Sequence, residues 1–148
     1  MSEYPVIDSD AGLRDVAAAL AGGTGPFAVD VERAAGYRYS ARAYLVQIFR
    51  RDAGVFLLDA PALTDFAVLR SALSSEEWVL HAASQDLPSL RELGLEPERI
   101  FDTELAARLL GHDRVGLGAV VASTLGVELA KEPSPCPWRR HWRWRKSG

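Results

Sequence analysis

The stretch FAVDVERAAGYRYSARAYLVQI, residues 27–48, decides the fold and raises the first functional question. Two carboxylates, Asp30 and Glu32, stand one residue apart in an otherwise apolar strand. Side chains two positions apart in a strand share a face, with Cα atoms about 6.5–7 Å apart. On a half-buried face, two unpaired carboxylates repel each other and lose hydration. A bound cation would remove both penalties, so the stretch suggests a metal site.

An ordinary solvent-exposed strand face is the alternative interpretation of these two acids. Charged side chains on one face of a strand are common. The same stretch holds three arginines that could pair with the acids, namely Arg33, Arg38 and Arg42. Taken alone, the stretch leaves both interpretations open.

Composition places the chain among ordinary globular proteins. Its 148 residues suffice for one domain with a sizeable core, and 48% hydrophobic with 25% charged residues is typical of such domains. No segment has the pattern of a membrane span or a secretory signal. The single cysteine, Cys136, cannot form an internal disulfide and excludes a cysteine-based zinc site. We therefore expect a cytoplasmic protein without a membrane partner.

The pattern of apolar residues and turn signals predicts an α/β fold with a mixed sheet. Three consecutive strands, the last two joined by a hairpin, should be antiparallel, and a strand after a helical crossover should join in parallel. A helix capped by Ser9 or Asp10 precedes them, and helices flank the later strands. The predicted strands are 4–7, 27–32, 43–49, 54–58, 78–81 and 100–102, and the predicted helices end near residues 21, 73, 93, 110 and 125.

The end of the chain differs from the rest. Residues 133–148 are rich in Trp, Arg and Pro and show no periodic apolar pattern, so we expect a disordered tail after a domain of residues 1–132. Without the five basic residues after Trp138, 12 basic residues stand against 20 acidic ones. The tail could be a nucleic-acid arm, with arginines for phosphate and tryptophans for base stacking. The alternative is out-of-frame sequence, since its residue types have G/C-rich codons.

Two further acids lie near predicted helix starts. Asp86, in LHAASQDLPSL, follows a strand, and an acid in a first helical turn is also a common structural feature. Asp102, in FDTELAARLLG, is placed to cap the helix after it. Carboxylates that converge from separate elements are the ligands Mg²⁺ prefers, and two-metal phosphodiester hydrolysis uses such a cluster.

These segments together resemble the ribonuclease D family of DEDD 3′–5′ exonucleases. The stretch from Phe27, with its hairpin strand GVFLLDA, is similar to the family's first exonuclease motif, and WVLHAASQDLPSL is similar to the second. IFDTELAARLLG and VGLGAVVASTLGVELAKE resemble the segments that follow. The resemblance covers roughly residues 4–132 and implies a ribonuclease H-like fold.

The resemblance implies that Asp30, Glu32 and Asp86 bind two Mg²⁺ or Mn²⁺ ions, while Asp102 is structural or secondary. It further implies a set of nucleic-acid-binding residues. One of them, His81, ends a predicted strand and can also be explained as a structural histidine. That set is Tyr37, Arg38, Tyr44, Gln47, His81 and Gln85. The implied activity is hydrolysis of RNA from its 3′ end, as in processing of tRNA precursors and other structured RNA. Composition and motifs leave the oligomeric state open.

The family's third motif, a tyrosine followed four residues later by an aspartate, has no match. Tyr44 is the last tyrosine and Asp113 the last aspartate. In the family, this motif supplies the fourth metal ligand and orients the attacking water. We therefore expect a domain that lacks its C-terminal part. The alternative function is an inactive nucleic-acid-binding or interaction domain, or a truncated product without the fourth acid.

Overall fold

The computed structural model describes residues 4–33 and 42–129, which form six strands and five α-helices with one short 3₁₀ turn. The strands are β1 (Val6–Ile7), β2 (Thr24–Arg33), β3 (Ala43–Arg51), β4 (Gly54–Asp59), β5 (Trp78–Leu80) and β6 (Ile100–Asp102). The helices are α1 (Asp10–Ala21), α2 (Phe66–Leu73), α3 (Ala83–Glu92), α4 (Thr103–Leu109) and α5 (Leu117–Leu125). The 3₁₀ turn spans Ala60–Ala62.

All six strands belong to one sheet in the order β1-β4-β3-β2-β5-β6. β2, β3 and β4 are antiparallel neighbours, because a tight hairpin joins β3 to β4. The pairs β1–β4, β2–β5 and β5–β6 are parallel, as helical crossovers require. The predicted mixed α/β sheet with flanking helices is thus confirmed.

The core forms on one face of β2 and its neighbours. Every second residue of β2 from position 27 is buried, namely Phe27, Val29 and Val31. The acids Asp30 and Glu32 occupy alternate positions and are exposed. α1 contributes buried Leu13, Val16, Ala17 and Leu20 to this core, and packs beside α2. The period-two pattern of β2 therefore sends the two acids to the opposite face of the sheet.

Arg50 is a buried charge in the middle of this architecture, with only 5% of its surface exposed. Its guanidinium donates Nη1–H to the Leu20 carbonyl at 2.6 Å and Nε–H to the Gly25 carbonyl at 3.0 Å. It also lies 4.3 Å from the centre of the Phe27 ring. Arg50 thus ties the end of α1 to the start of β2, the strand that carries Asp30 and Glu32.

Several predicted boundaries differ from the structure. α2 begins at Phe66, and its start is held by Asp10, whose carboxylate accepts the backbone N–H groups of Thr64 and Asp65. α1 is capped by Ser9, whose hydroxyl accepts the N–H of Gly12 at 3.2 Å. The 3₁₀ turn has no counterpart among the predicted elements. No helix in residues 4–33 and 42–129 is long and apolar enough to span a bilayer.

Candidate metal and nucleic-acid site

The two acids of β2 lie on the exposed face of the sheet. Of the two settings left open by the sequence, the structure has the exposed one, since both Asp30 and Glu32 are solvent-exposed. The antiparallel register places Gln47 of β3 directly opposite Asp30. The Gln47 Nε2–H donates to Asp30 Oδ2 at 3.0 Å, so a neutral amide occupies one oxygen of the first acid.

The pairing of β2 with both neighbouring strands becomes irregular at its carboxyl end, where Asp30 and Glu32 lie. β5 pairs only with Phe27 and Ala28, so β2 continues past its neighbour on that side. On the other side, the register shifts between Glu32 and Arg33, where β3 has one extra residue, Tyr44. Bulges of this kind redirect side chains and are common beside functional sites. The carboxyl end of β2 is therefore open on the side from which α3 approaches.

Asp86 reaches this open end from the first turn of α3. It is buried, with 6% of its surface exposed. The pKa of its carboxyl is raised to about 6, chiefly by burial and in smaller part by the negative charges of Asp30 and Glu32. Arg33 and the backbone N–H of Val31 act in the opposite direction and lower that pKa. The three predicted acids therefore share one electrostatic environment.

The donor chemistry of this trio suits a hard divalent cation. Carboxylate oxygens are the ligands that Mg²⁺ and Mn²⁺ prefer, and a cation would offset the repulsion that Asp86 experiences. The three side chains do not converge on one point in this structure. Among the residues that the structure describes, no three His, Cys, Asp or Glu side chains form a ready metal-binding group. Gln47 donates only to Oδ2 of Asp30, so a cation could bind through Oδ1 while that hydrogen bond is kept.

Asp102 lies beside the trio without being part of it. Its carboxylate accepts four backbone N–H groups at 2.9–3.2 Å, those of Ala82, Ala83, Glu104 and Leu105. Although burial raises the pKa of Asp102, these hydrogen bonds outweigh it and the pKa is lowered. The predicted helix cap is therefore present, and the same carboxylate also holds the start of α3.

The predicted nucleic-acid-binding residues are dispersed. Gln47 borders Asp30, Gln85 is exposed next to Asp86, and Tyr44 is half-buried at the bulge. His81 Nδ1 lies 2.8 Å from Thr103 Oγ1, a contact that fits a structural histidine, while its buried Nε2 has no hydrogen-bond partner among the described residues. The remaining two, Tyr37 and Arg38, lie outside the described residues, as does the predicted tail 133–148.

Sequence reasoning missed two polar contacts of the site. The link from Asp102 to Ala82 and Ala83 spans about twenty residues, and no local pattern signals it. The Gln47–Asp30 contact depends on the β2–β3 register. Its one sequence signal was a lone polar residue, Gln47, between apolar neighbours in a predicted strand.

A sequence model of the 3′–5′ exonuclease family matches residues 4–144. The match runs past the domain boundary expected at residue 132. Ribonuclease D from Sphingobium indicum is 33% identical over 147 residues, which covers 95% of this chain and 37% of the relative.

Solved structures show the same relationship. The chain is 46% identical to a protein from Bifidobacterium adolescentis with a TM-score of 0.82, over 90% of this chain and 35% of that one. It is 28% identical to Escherichia coli RNase D with a TM-score of 0.77, over 88% of this chain and 35% of that one. The chain thus spans little more than a third of these proteins. On these matches, it belongs to the 3′–5′ exonuclease family and is a DEDD exonuclease domain of the ribonuclease D type.

Proposed function

We propose that this domain removes nucleotides from RNA 3′ ends with divalent metal ions held by Asp30, Glu32 and Asp86. Enzymes of this family generally use divalent metal ions. The observation that carries the proposal is the placement of the buried Asp86 carboxylate beside the two acids of β2, with which it interacts electrostatically. Such a group of acids is destabilising without a cation, which gives the cation a physical role.

The three acids differ in burial, and we assign them different roles as metal ligands on that basis. Asp86 is fixed by burial, so it provides a rigid ligand, whereas Asp30 and Glu32 face solvent and can adjust to the ion. Gln47 orients the Asp30 carboxylate through its hydrogen bond to Oδ2. When bound, paired metal ions in such sites generate the attacking hydroxide and stabilise the leaving oxygen.

RNA is the proposed substrate because of the relatives. Escherichia coli RNase D is described as an exoribonuclease involved in structured RNA processing. We extend this substrate class, including tRNA precursors, to the present domain. A single-stranded 3′ end would meet polar groups beside the acids, of which the half-buried Gln47 and the exposed Gln85 are the described examples.

A nucleic-acid-binding domain without catalysis is the second candidate. It is favoured by one observation: the sequence has no tyrosine after Tyr44 and no aspartate after Asp113, so the third family motif has no match. The two candidates differ in whether the bound ions support hydrolysis.

Mn²⁺ binding, followed by electron paramagnetic resonance, tests the metal assignment directly. We expect the wild-type protein to bind Mn²⁺ and Asp30→Asn and Asp86→Asn to weaken binding by at least about tenfold. Asp15→Asn is the matched control, because Asp15 is an exposed acid on α1. Equal Mn²⁺ binding by all four proteins, or none by the wild type, would refute the assignment.

A further inference from the structure

α3 begins in a way that its own sequence does not support. The residue before its first turn, Ala82, adopts a left-handed conformation with φ 57° and ψ 54°. Non-glycine residues rarely adopt this conformation, and alanine has no side chain to cap a helix. The start of the helix that carries Asp86 must therefore be held from elsewhere in the fold.

Asp102 supplies that support across the sheet edge. Its Oδ1 accepts the Ala82 N–H at 3.1 Å, and its Oδ2 accepts the Ala83 N–H at 2.9 Å. The same carboxylate accepts the N–H groups of Glu104 and Leu105 at the start of α4. One side chain thus joins the N-termini of two helices.

Thr103, the next residue, reinforces the junction. Its hydroxyl donates to the Leu80 carbonyl at 3.2 Å and lies 2.8 Å from His81 Nδ1. A hydroxyl has one proton, so His81 donates Nδ1–H to Thr103 Oγ1 in this arrangement. The backbone on both sides of the left-handed Ala82 is therefore fixed to the β6–α4 connection.

The orientation of this first turn determines where Asp86 lies. Asp86 is in the same turn, and its carboxylate accepts a hydrogen bond from the backbone N–H of Val31 on β2. A turn released at Ala82 and Ala83 would be free to swing away from β2. Local capping of α4 alone would not require the two bonds to Ala82 and Ala83.

We propose that Asp102 is a positioning residue: by holding the left-handed start of α3, it fixes the Asp86 carboxylate against β2. The inference rests on the proposed function, which assigns Asp86 to the metal ions. Residues that hold a metal ligand in place typically change metal affinity 10- to 100-fold when they are removed. Asp102 itself contacts only backbone N–H groups among the contacts described here.

The test compares Asp102→Ala and Asp102→Asn with Asp10→Ala. Asp10 is the matched control, because its carboxylate also accepts several N–H and O–H groups at a helix start, that of α2. Two quantities are measured on the folded proteins. They are hydrogen exchange of the Val31 amide by NMR, without metal, and the Mn²⁺ dissociation constant.

We expect Asp102→Ala to accelerate Val31 exchange up to about tenfold relative to its β2 neighbours. The Mn²⁺ dissociation constant should rise roughly 10- to 100-fold. Asp102→Asn should retain part of both properties, because its amide oxygen can still accept N–H groups. Asp10→Ala should change neither, even if it lowers global stability as much.

An unchanged Val31 signal in both Asp102 variants would overturn the inference, as would an equal change in Asp10→Ala. If Asp102→Ala fails to fold, Asp102→Asn decides by the same criteria. The Val31 measurement needs no metal. A wild-type protein without Mn²⁺ affinity would therefore refute the proposed function, while Val31 exchange would still decide the role of Asp102.

Discussion

At the scale of single residues, Asp86 links stability to function. Its carboxyl has a pKa of about 6 in the folded protein against an ordinary value of 3.8, chiefly because it is buried. The protonated form is therefore favoured by folding. Its contribution to the free energy of unfolding is fully present below pH about 4 and is lost as the pH rises through about 6.

The first prediction concerns Asp86→Asn in the absence of divalent metal. A shift of about two units corresponds to roughly 3 kcal/mol, so the variant should be up to that much more stable than wild type above pH 7. The advantage should disappear near pH 3.5, where the wild-type carboxyl is protonated. Urea unfolding in a chelator at several pH values measures it. A stability difference independent of pH would contradict the account.

The identities of the three acids were predictable, but their environments were not. Residue type and spacing singled out Asp30, Glu32 and Asp86. Which of them is buried depends on how α3 meets β2, and that contact joins residues far apart in sequence. The sequence therefore left open whether the acids of β2 are half-buried or exposed, and in the structure Asp30 is exposed while Asp86 is the buried member.

At the scale of elements, the start of α3 combines backbone strain with function. A left-handed alanine costs about 1 kcal/mol or more, which glycine would avoid. We therefore predict that Ala82→Gly raises the free energy of unfolding by about 0.5–1 kcal/mol.

The neighbouring Ala83→Gly is the control for this substitution. Ala83 is the first residue of α3 and is buried, so glycine there should destabilise the protein. Urea unfolding of both variants provides the comparison. A loss of stability in Ala82→Gly similar to that in Ala83→Gly would show that Ala82 is not strained.

The connection between α1 and β2 gives a second prediction at this scale. Lysine at position 50 cannot reproduce two directed hydrogen bonds to the Leu20 and Gly25 carbonyls. Arg50→Lys should lower the free energy of unfolding by about 2 kcal/mol.

The adjacent Arg51→Lys offers a matched control, because Arg51 is exposed. It should change stability by less than about 0.5 kcal/mol. Equal effects of the two substitutions in thermal or urea unfolding would rule out the bridging role of Arg50.

Element types followed from sequence because the apolar patterns were strong. The alternation in β2 and β3 and the short break before β4 predicted the antiparallel part of the sheet, which the structure confirms. The start of α2 at Phe66 depends on a distant residue, because the N–H groups of Thr64 and Asp65 just before it bind Asp10, 54 and 55 residues away. Hydrogen bonds between residues so far apart in sequence depend on the tertiary structure, and a local sequence pattern cannot predict them.

At the scale of the whole molecule, sheet topology creates the site. β5 is shorter than β2, so the end of β2 projects past it, and the β5–α3 connection delivers Asp86 to that end. The resemblance of the motifs to the ribonuclease D family implied the ribonuclease H-like exonuclease fold, and the comparisons confirm it. The predicted division at residue 132 stays a prediction, since residues 130–148 lie outside the described part of the chain.

The central claim is that this domain degrades RNA from the 3′ end through its three acids. The most direct measurement follows a 5′-labelled RNA with an unpaired 3′ end in Mn²⁺, with wild type, Asp30→Ala and the control Asp15→Ala. We predict a ladder that shortens from the 3′ end for wild type and Asp15→Ala, and a rate at least about 100-fold lower for Asp30→Ala. Intact RNA in every lane, or degradation indifferent to Asp30→Ala, would contradict the claim.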